Sequence, residues 1–310
     1  MSSTDTRVAV LGGTGFVGRN VRDVLESVGI TVGVFSRTTG CDLLDLPSTW
    51  AKLDEFGPDY IVNCAALVGS VNYVTDFAAD VVDVNMRIIL NVYKSAQQMR
   101  ETVVINPIAN CAYPGIMDIY EERGLWDGPI HPSVLSYGST RRMMWVLSKC
   151  YSDQYGVRSV NLLVPNMYGP YDSINPNKTH ALNGLVIKFV RAAKGQLPEV
   201  EVWGTGKPIR EWLYVKDFAA IVRRVVEARE DSLEPVNIAQ NRGFTVNEIV
   251  EIIQGLTDYT GEVVYNPRYQ DGSPKKVMDD EYFRRRFPDF EFTDLVQGIS
   301  ETIEYYGAIL

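Results

Sequence analysis

A chain of 310 residues is long for one hydrophobic core and short for three, which predicts two closely associated lobes. Hydrophobic residues at 45% and charged residues at 22% are the proportions of a globular enzyme, and no apolar run nears the ~18 residues of a membrane-spanning helix. The formal net charge of -9 excludes an overall basic surface, so neither nucleic acid nor membrane is expected as a partner.

The chain opens with Met1-Ser2-Ser3-Thr4-Asp5-Thr6, which has neither the basic start nor the apolar centre of a signal peptide, and a cytoplasmic protein is expected. Arg7 to Leu11 reads as a short apolar strand, Gly15 to Val28 as an amphipathic helix and Ile30 to Phe35 as a second strand. Tyr60 to Cys64 is a third strand, and Phe77 to Arg100 carries helical periodicity. Thr102 to Ile105 is strand-like, Ser139 to Tyr155 helical and Val157 to Leu163 strand-like again. Strands that alternate with helices need crossover connections, so the fold class is α/β, with a Rossmann-type, doubly wound parallel sheet. After Pro165 the texture changes: residues 165–180 are rich in Pro, Asn, Gly and Tyr and read as a long functional loop. Leu182 to Ala193 then resembles a helix, Glu201 to Trp203 a strand and Val215 to Ala228 another helix, with short elements to Leu310. The domains expected are a cofactor lobe over 1–165, with parts of 211–240 returning to it, and a smaller α/β substrate lobe over 166–310.

Cys41, Cys64, Cys111 and Cys150 have neither metal-ligand spacing nor a disulfide pattern, and His131 and His180 are too few for a multi-histidine site; no metal is expected. The basic run Arg284-Arg285-Arg286 reads most simply as a solvated helix face.

Gly12-Gly13-Thr14-Gly15-Phe16-Val17-Gly18 falls where the first strand ends and the first helix begins. There the backbone must turn tightly and let a pyrophosphate approach the helix N-terminus, and a side chain at Gly15 would obstruct it. A tight strand–helix turn without a ligand is the bland alternative. The end of the second strand separates the two nicotinamide dinucleotides. NAD sites place an Asp or Glu there to accept the ribose 2′-hydroxyl. This chain has Ser36, Arg37 and Thr38, which suit a 2′-phosphate, so NADP(H) is expected over NAD(H). The alternative is that Arg37 stacks on adenine or faces solvent. Asn63-Cys64-Ala65-Ala66 closes the third strand in small residues, and Ala65 and Ala66 would let a cofactor approach; Asn85 in the next helix could bridge to that turn.

Tyr137 near the start of its helix, together with the Cys111-Ala112-Tyr113-Pro114 turn, resembles the extended short-chain dehydrogenases/reductases. Further segments make the likeness narrower: Asp42-Leu43-Leu44-Asp45, Pro165-Asn166-Met167-Tyr168-Gly169-Pro170, Val202-Trp203-Gly204-Thr205-Gly206 through Arg210-Glu211, and Asp271-Gly272-Ser273-Pro274-Lys275-Lys276. In this order they resemble the GDP-L-fucose synthase family, NADPH-dependent 3,5-epimerase/4-reductases of GDP-4-keto-6-deoxymannose, over nearly the whole chain. The resemblance implies that Tyr137 protonates the sugar O4 as hydride arrives. A free tyrosine has a pKa near ~10, so a cation is needed beside it to stabilise the phenolate. The family uses a lysine four residues on, on the same helical face. Here that position is Arg141, which keeps the charge and can donate to the nicotinamide ribose but cannot relay a proton. The alternative is an Arg141 swung to solvent and a lost reductase activity. The family's hydroxyl donor to the C4 oxygen falls at Ala109, with Asn110, Ser136 or Ser139 as possible substitutes.

The epimerisation pair is intact: Cys111 matches the family's base and His180 its acid. A carbon next to a ketone inverts when one group removes its proton and another reprotonates the opposite face. Outside the resemblance, a buried cysteine is a small hydrophobe and a lone histidine is structural. Lys188, Trp203, Arg210 and Lys276 fit a nucleoside diphosphate, with Asn110 and Asn166 toward the sugar or diphosphate; guanine rests on the resemblance alone. The family's habit of pairing the helices equivalent to 77–100 and 137–155 implies a homodimer. Two other functions stay open: an epimerase without reduction, or a 4-dehydrogenase/reductase on another nucleotide sugar such as a GDP-heptose. A third, of another class, is an impaired NADP(H)-binding sensor or scaffold.

Overall fold

The computed structural model describes residues 6–99 and 101–310. Met1–Asp5, read above against a signal peptide, and Arg100, the predicted end of the long helix, lie outside them. The strands in chain order are β1 (Arg7–Leu11), β2 (Thr31–Phe35), β3 (Tyr60–Asn63), β4 (Val103–Ala109), β5 (Arg158–Val164), β6 (Asn166–Tyr168) and β7 (Glu199–Trp203). They continue as β8 (Ile209–Arg210), β9 (Trp212–Tyr214), β10 (Val236–Asn237), β11 (Phe244–Thr245), β12 (Glu262–Asn266) and β13 (Lys275–Lys276). The helices are α1 (Phe16–Ser27), α2 (Leu46–Phe56), α3 (Val71–Asp76), α4 (Ala78–Gln98) and α5 (Leu135–Tyr155). After them come α6 (Ala181–Gly195), α7 (Val215–Glu227), α8 (Val246–Leu256), α9 (Glu281–Arg286) and α10 (Leu295–Ile309).

A parallel six-stranded sheet in the order β10-β5-β4-β3-β1-β2 forms the first lobe. Its central strands are apolar on both faces, as helices on both sides require. One face buries Val8, Val10, Val62 and Ile105 under Val21 and Leu25 of α1 and Phe218, Ile221 and Val222 of α7. The other buries Ala9, Leu11, Ile61 and Val104 under Leu53 of α2, Ile89 and Val92 of α4 and Met144 of α5. From residues 211–240, α7 packs on α1 and β10 pairs in parallel with β5. The second assembly packs α6, α8 and α10 against the parallel pair β7–β12, the pair β6–β9 and the three-stranded sheet β11-β8-β13.

Four differences from the sequence reading have physical causes. β4 runs on through Asn106-Pro107 to Ala109, because Asn106 Nδ2 donates within the core to Tyr93 Oη (2.7 Å) and Asn161 Oδ1 (3.0 Å). α5 begins at Leu135, a turn before Ser139, so Tyr137 lies in its first turn. The loop after Pro165 contains the short strand β6, paired with β9. Arg286 is not on a solvated face: its side chain is buried and bonds Glu230 at 2.7 Å, leaving only Arg284 and Arg285 at the surface. Among the described residues no helix is long and apolar enough to cross a membrane.

A tight backbone demand lies at the start of α1, where a Cβ on Gly18 would sit 2.7 Å from Gly13 Cα. Gly18→Ala is therefore expected to destabilise the fold by about 1–3 kcal/mol, the usual cost of overpacking, measured by urea unfolding; an unchanged midpoint would show that the turn can relax.

Candidate active site

The turn between β1 and α1 is built by backbone. Gly12 has φ +69° and donates to Phe35 O at 2.8 Å, and a Cβ there would lie 2.9 Å from Ala65 Cα. Gly13 has the same constraint from Val10 O and Val34. Gly15 differs: a Cβ would meet only Gly12 O, at 3.2 Å, so its outer side is open. As the N-cap of α1 it has no side-chain oxygen to offer the first-turn amides, which leaves them to an external acceptor. Phe16 and Val17 begin the helix, Phe16 against the His180 ring (centroids 5.1 Å apart) and Val17 against the core. Ala65 is buried at Gly12 and Ala66 half-buried beside it.

At the end of β2, Ser36 Oγ and Thr38 Oγ1 lie 2.9 Å apart, and Thr38 Oγ1 reaches Thr14 Oγ1 at 3.4 Å. A cluster of hydroxyls thus joins this strand end to the glycine turn. Arg37 beside it is exposed, and among the described residues no carboxylate bonds to it.

Tyr137 and Arg141 stand one turn apart on α5. The Arg141 guanidinium carbon is 4.9 Å from the Tyr137 ring centroid. Its Nη2 donates to Asn85 Oδ1 at 3.0 Å, and the side chain is 2% exposed. Asn85 is fixed in turn: Oδ1 accepts from Leu67 N–H (3.1 Å), and Nδ2 donates to Leu67 O (2.8 Å) and Val81 O (2.7 Å). The bridge expected of Asn85 therefore forms, and it ends at Leu67. Arg141 does not swing to solvent; it is buried against the tyrosine, and its Nε has no partner among the described residues. Burial pushes the Tyr137 phenol above its ordinary pKa, the Arg141 charge pulls it back and Cys111 adds to the rise.

Gly138 lets α5 close on the Asn110–Ala112 turn that carries Cys111, because a Cβ there would lie 3.2 Å from Cys111 C and 2.8 Å from Ile130 Cγ2. Arg142 fastens the same turn by donating from Nε to Ala112 O at 2.7 Å. Lys276, on β13, donates to Asn110 O at 3.3 Å. Burial pushes the Cys111 thiol up to about 11, opposed first by Lys276 and then by Arg141. Burial pushes the Lys276 ammonium down to about 8, with Cys111 opposing and Arg210 and Arg142 reinforcing. A thiol and an ammonium held this way favour each other's charged forms.

His180 caps α6, and its Nδ1 lies 3.0 Å from Asp172 Oδ2, which also accepts from the His180 N–H and Asn183 Nδ2. Burial disfavours the imidazolium, but Asp172 outweighs it and raises the His180 pKa; the Asp172 carboxyl is held low in return. Of the hydroxyl substitutes for Ala109, Ser136 is committed to Val74 O at 2.7 Å. Ser139 is half-buried, and the buried Asn110 Nδ2 is unpartnered among the described residues.

The remaining predicted residues fall into two groups. β8 and β13 pair in parallel so that Arg210 lies opposite Lys276, and Asn166 Nδ2 donates to Glu211 O at 3.3 Å. Arg210 Nη2 donates to Asp271 O at 2.8 Å. Lys188 and Trp203 form the second group. The Lys188 Nζ donates to Glu201 O (2.7 Å) and lies 4.5 Å from the Trp203 ring centroid, while Tyr269 stacks on Trp203 at 4.4 Å and 13°. Glu211 closes a motif quoted above but was assigned no role, and Asp172, Arg142 and Tyr269 escaped the sequence reading. Only Asp172, eight residues before His180 in the same loop, had a local signal. Among the described residues no cluster could hold a metal ion, and all four cysteines are free.

Residues 8–239 match the NAD dependent epimerase/dehydratase family. The chain is 30% identical to the GDP-L-fucose synthase of Escherichia coli over 285 residues, covering 88% of each chain. It is 26% identical to that of Dictyostelium discoideum over 307 residues, covering 96% of this chain and 94% of the relative. Among solved structures, a GDP-L-fucose synthetase from Naegleria fowleri superposes with a TM-score of 0.87 at 25% identity, covering 98% of this chain and 94% of that one.

The His180–Asp172 pair is expected to stabilise the fold in one pH window. A raised imidazole contributes fully below the ordinary histidine value of 6.5 and loses its contribution as pH rises through its folded value. A lowered carboxyl contributes above the ordinary 3.8 and loses its contribution as pH falls through its folded value. NMR titration of His180 should show a raised pKa that falls in Asp172→Asn; equal values in the two proteins would contradict the pairing.

Proposed function

The chain belongs to the NAD dependent epimerase/dehydratase family, and to the GDP-L-fucose synthase family within it, and on that premise we propose an NADP(H)-dependent epimerase and 4-reductase of a GDP-linked 4-keto-6-deoxy sugar. The observation that carries the reading is Tyr137 under the buried Arg141 guanidinium, next to the turn that sets Cys111 near Lys276. The open side of Gly15 and the uncapped α1 terminus fit a pyrophosphate, held by Gly12, Gly13, Gly15, Phe16, Val17 and Gly18. Ser36 and Arg37 would hold a 2′-phosphate, Ala65 and Ala66 would line the cofactor, and Arg141 would meet its ribose. When bound, NADPH supplies the hydride that reduces C4.

The chain's own residues do the rest. Cys111, as thiolate, removes a proton from the carbon next to the ketone, and His180 returns one to the opposite face. Lys276 and Arg141 are the cations that favour the thiolate. Tyr137 then gives its proton to the C4 oxygen, and Arg141 stabilises the phenolate without losing its own charge. Arg210, Lys276, Lys188, Trp203, Asn110 and Asn166 are assigned to the GDP-sugar. The two-lobe division at residue 165, a homodimer through α4 and α5 and a cytoplasmic location belong to the same reading. The commitment of Ser136 to Val74, with Ala109 lacking a hydroxyl, favours one second reading: an epimerase without net reduction.

The test is GDP-4-keto-6-deoxymannose with NADPH in deuterated water. The expected product is GDP-L-fucose, with deuterium at C3 and C5. Cys111→Ser should cut deuterium uptake by about 10²-fold or more, and Tyr137→Phe should cut NADPH oxidation similarly while uptake continues, in line with the loss of a general acid or base. Deuterium uptake by the wild type without oxidation would replace the proposal with the second reading.

A further inference from the structure

Glu211, between β8 and β9, is fully buried, and every hydrogen-bonding group it has reaches a distant segment. Its N–H donates to Lys276 O (3.2 Å) and its carbonyl accepts from Asn166 Nδ2 (3.3 Å). Its carboxylate accepts from the Gln240 N–H at Oε1 (2.6 Å) and the Met278 N–H at Oε2 (2.9 Å). Arg210 is its neighbour in the chain. One residue thus joins the strand of Arg210, the strand of Lys276, the loop of Asn166 and the segment after β10 in the first lobe. We propose that Glu211 is a positioning residue that sets affinity for the nucleotide diphosphate by holding Arg210, Lys276 and Asn166 in register. The proposal rests on the functional reading above, in which those three face the GDP-sugar.

The chemistry of the clamp is specific. Two backbone donors, one buried and one half-buried, need acceptors, and a carboxylate has an acceptor oxygen for each. A glutamine in the same place turns an NH2 toward one of the two amides and leaves that donor unpaired. Among the described residues no cation forms an ion pair with the group. Burial raises the Glu211 pKa to about 7; the amides of Met278, Gln240 and Asn241 oppose the rise and Asp280, the titratable group facing it, adds to it. Protonation near neutral pH thus sets an O–H against an N–H and opens half of the clamp. The groups that act on Arg210 are Tyr120 and Asp271, and those that act on Lys276 are Cys111, Arg210 and Arg142. Glu211 acts on both cations through the placement of their strands.

The probe is GDP-mannose, a diphosphate diester with no ionisation of its diphosphate near neutrality, titrated calorimetrically into wild type and Glu211→Gln. NADPH binding serves as the check on fold. At about pH 7.5 the variant is expected to bind GDP-mannose at least about tenfold more weakly, the usual scale for one lost charged hydrogen bond, with NADPH binding within about twofold. Wild-type affinity should fall as pH drops from about 7.5 to about 6, and the variant should lack that acid limb. Equal affinity in the two proteins, or an acid limb retained in the variant, overturns the proposal. Where the variant fails to bind NADPH, the wild-type profile decides: a flat one from about pH 7.5 to 6 overturns the proposal and a falling one supports it. Wild type that binds NADPH but no GDP-mannose overturns the functional reading and this proposal with it.

Discussion

The site turns on a buried cation. Arg141 sits with its guanidinium over the Tyr137 ring and one nitrogen on Asn85, almost entirely out of water. A desolvated charge is costly unless it is held and used, and among the described residues no carboxylate pairs with it. What holds it is neutral: an asparagine whose amide is tied by three further hydrogen bonds to Leu67 and Val81. The guanidinium places a positive charge against the Tyr137 ring, where it favours the phenolate.

The same logic extends across the cleft. Lys276 is buried and Arg210 half-buried, and burial pushes both toward neutrality, while Arg142 holds the Cys111 turn. Such a concentration of cations in a chain of net charge -9 is local and directed. An anionic ligand would relieve their mutual repulsion and desolvation, so the cluster is complementary to a diphosphate before any is bound. The fold makes this possible by pairing β8 with β13, which sets Arg210 and Lys276 side by side from segments far apart in the chain.

Much of this was legible in the chain. The strand–helix alternation is the parallel sheet, and the glycine spacing is the turn whose backbone crowding forbids side chains at Gly12 and Gly18. The motif residues Cys111, Tyr137 and Arg141 come together because Gly138 and Arg142 press α5 onto the Asn110–Ala112 turn. What escaped depends on tertiary contact. Asn106-Pro107 reads as a break, yet core partners on α4 and β5 carry β4 through it. Arg286 lies within a charged run, and only the fold reveals Glu230 beside it. Glu211 closes the motif that Arg210 carries, but its burial and its two amide partners, 29 and 67 residues away, appear only in the fold.

The most direct test of the central claim is single-turnover hydride transfer in Arg141→Met and Arg141→Lys, followed across pH by NADPH absorbance. A fixed cation beside Tyr137 predicts that methionine slows the step by about 10²-fold or more with NADPH affinity changed far less, the signature of lost transition-state stabilisation. Lysine should restore the rate at neutral pH. An Arg141→Met enzyme as fast as the wild type would show that the phenolate is stabilised by something other than Arg141.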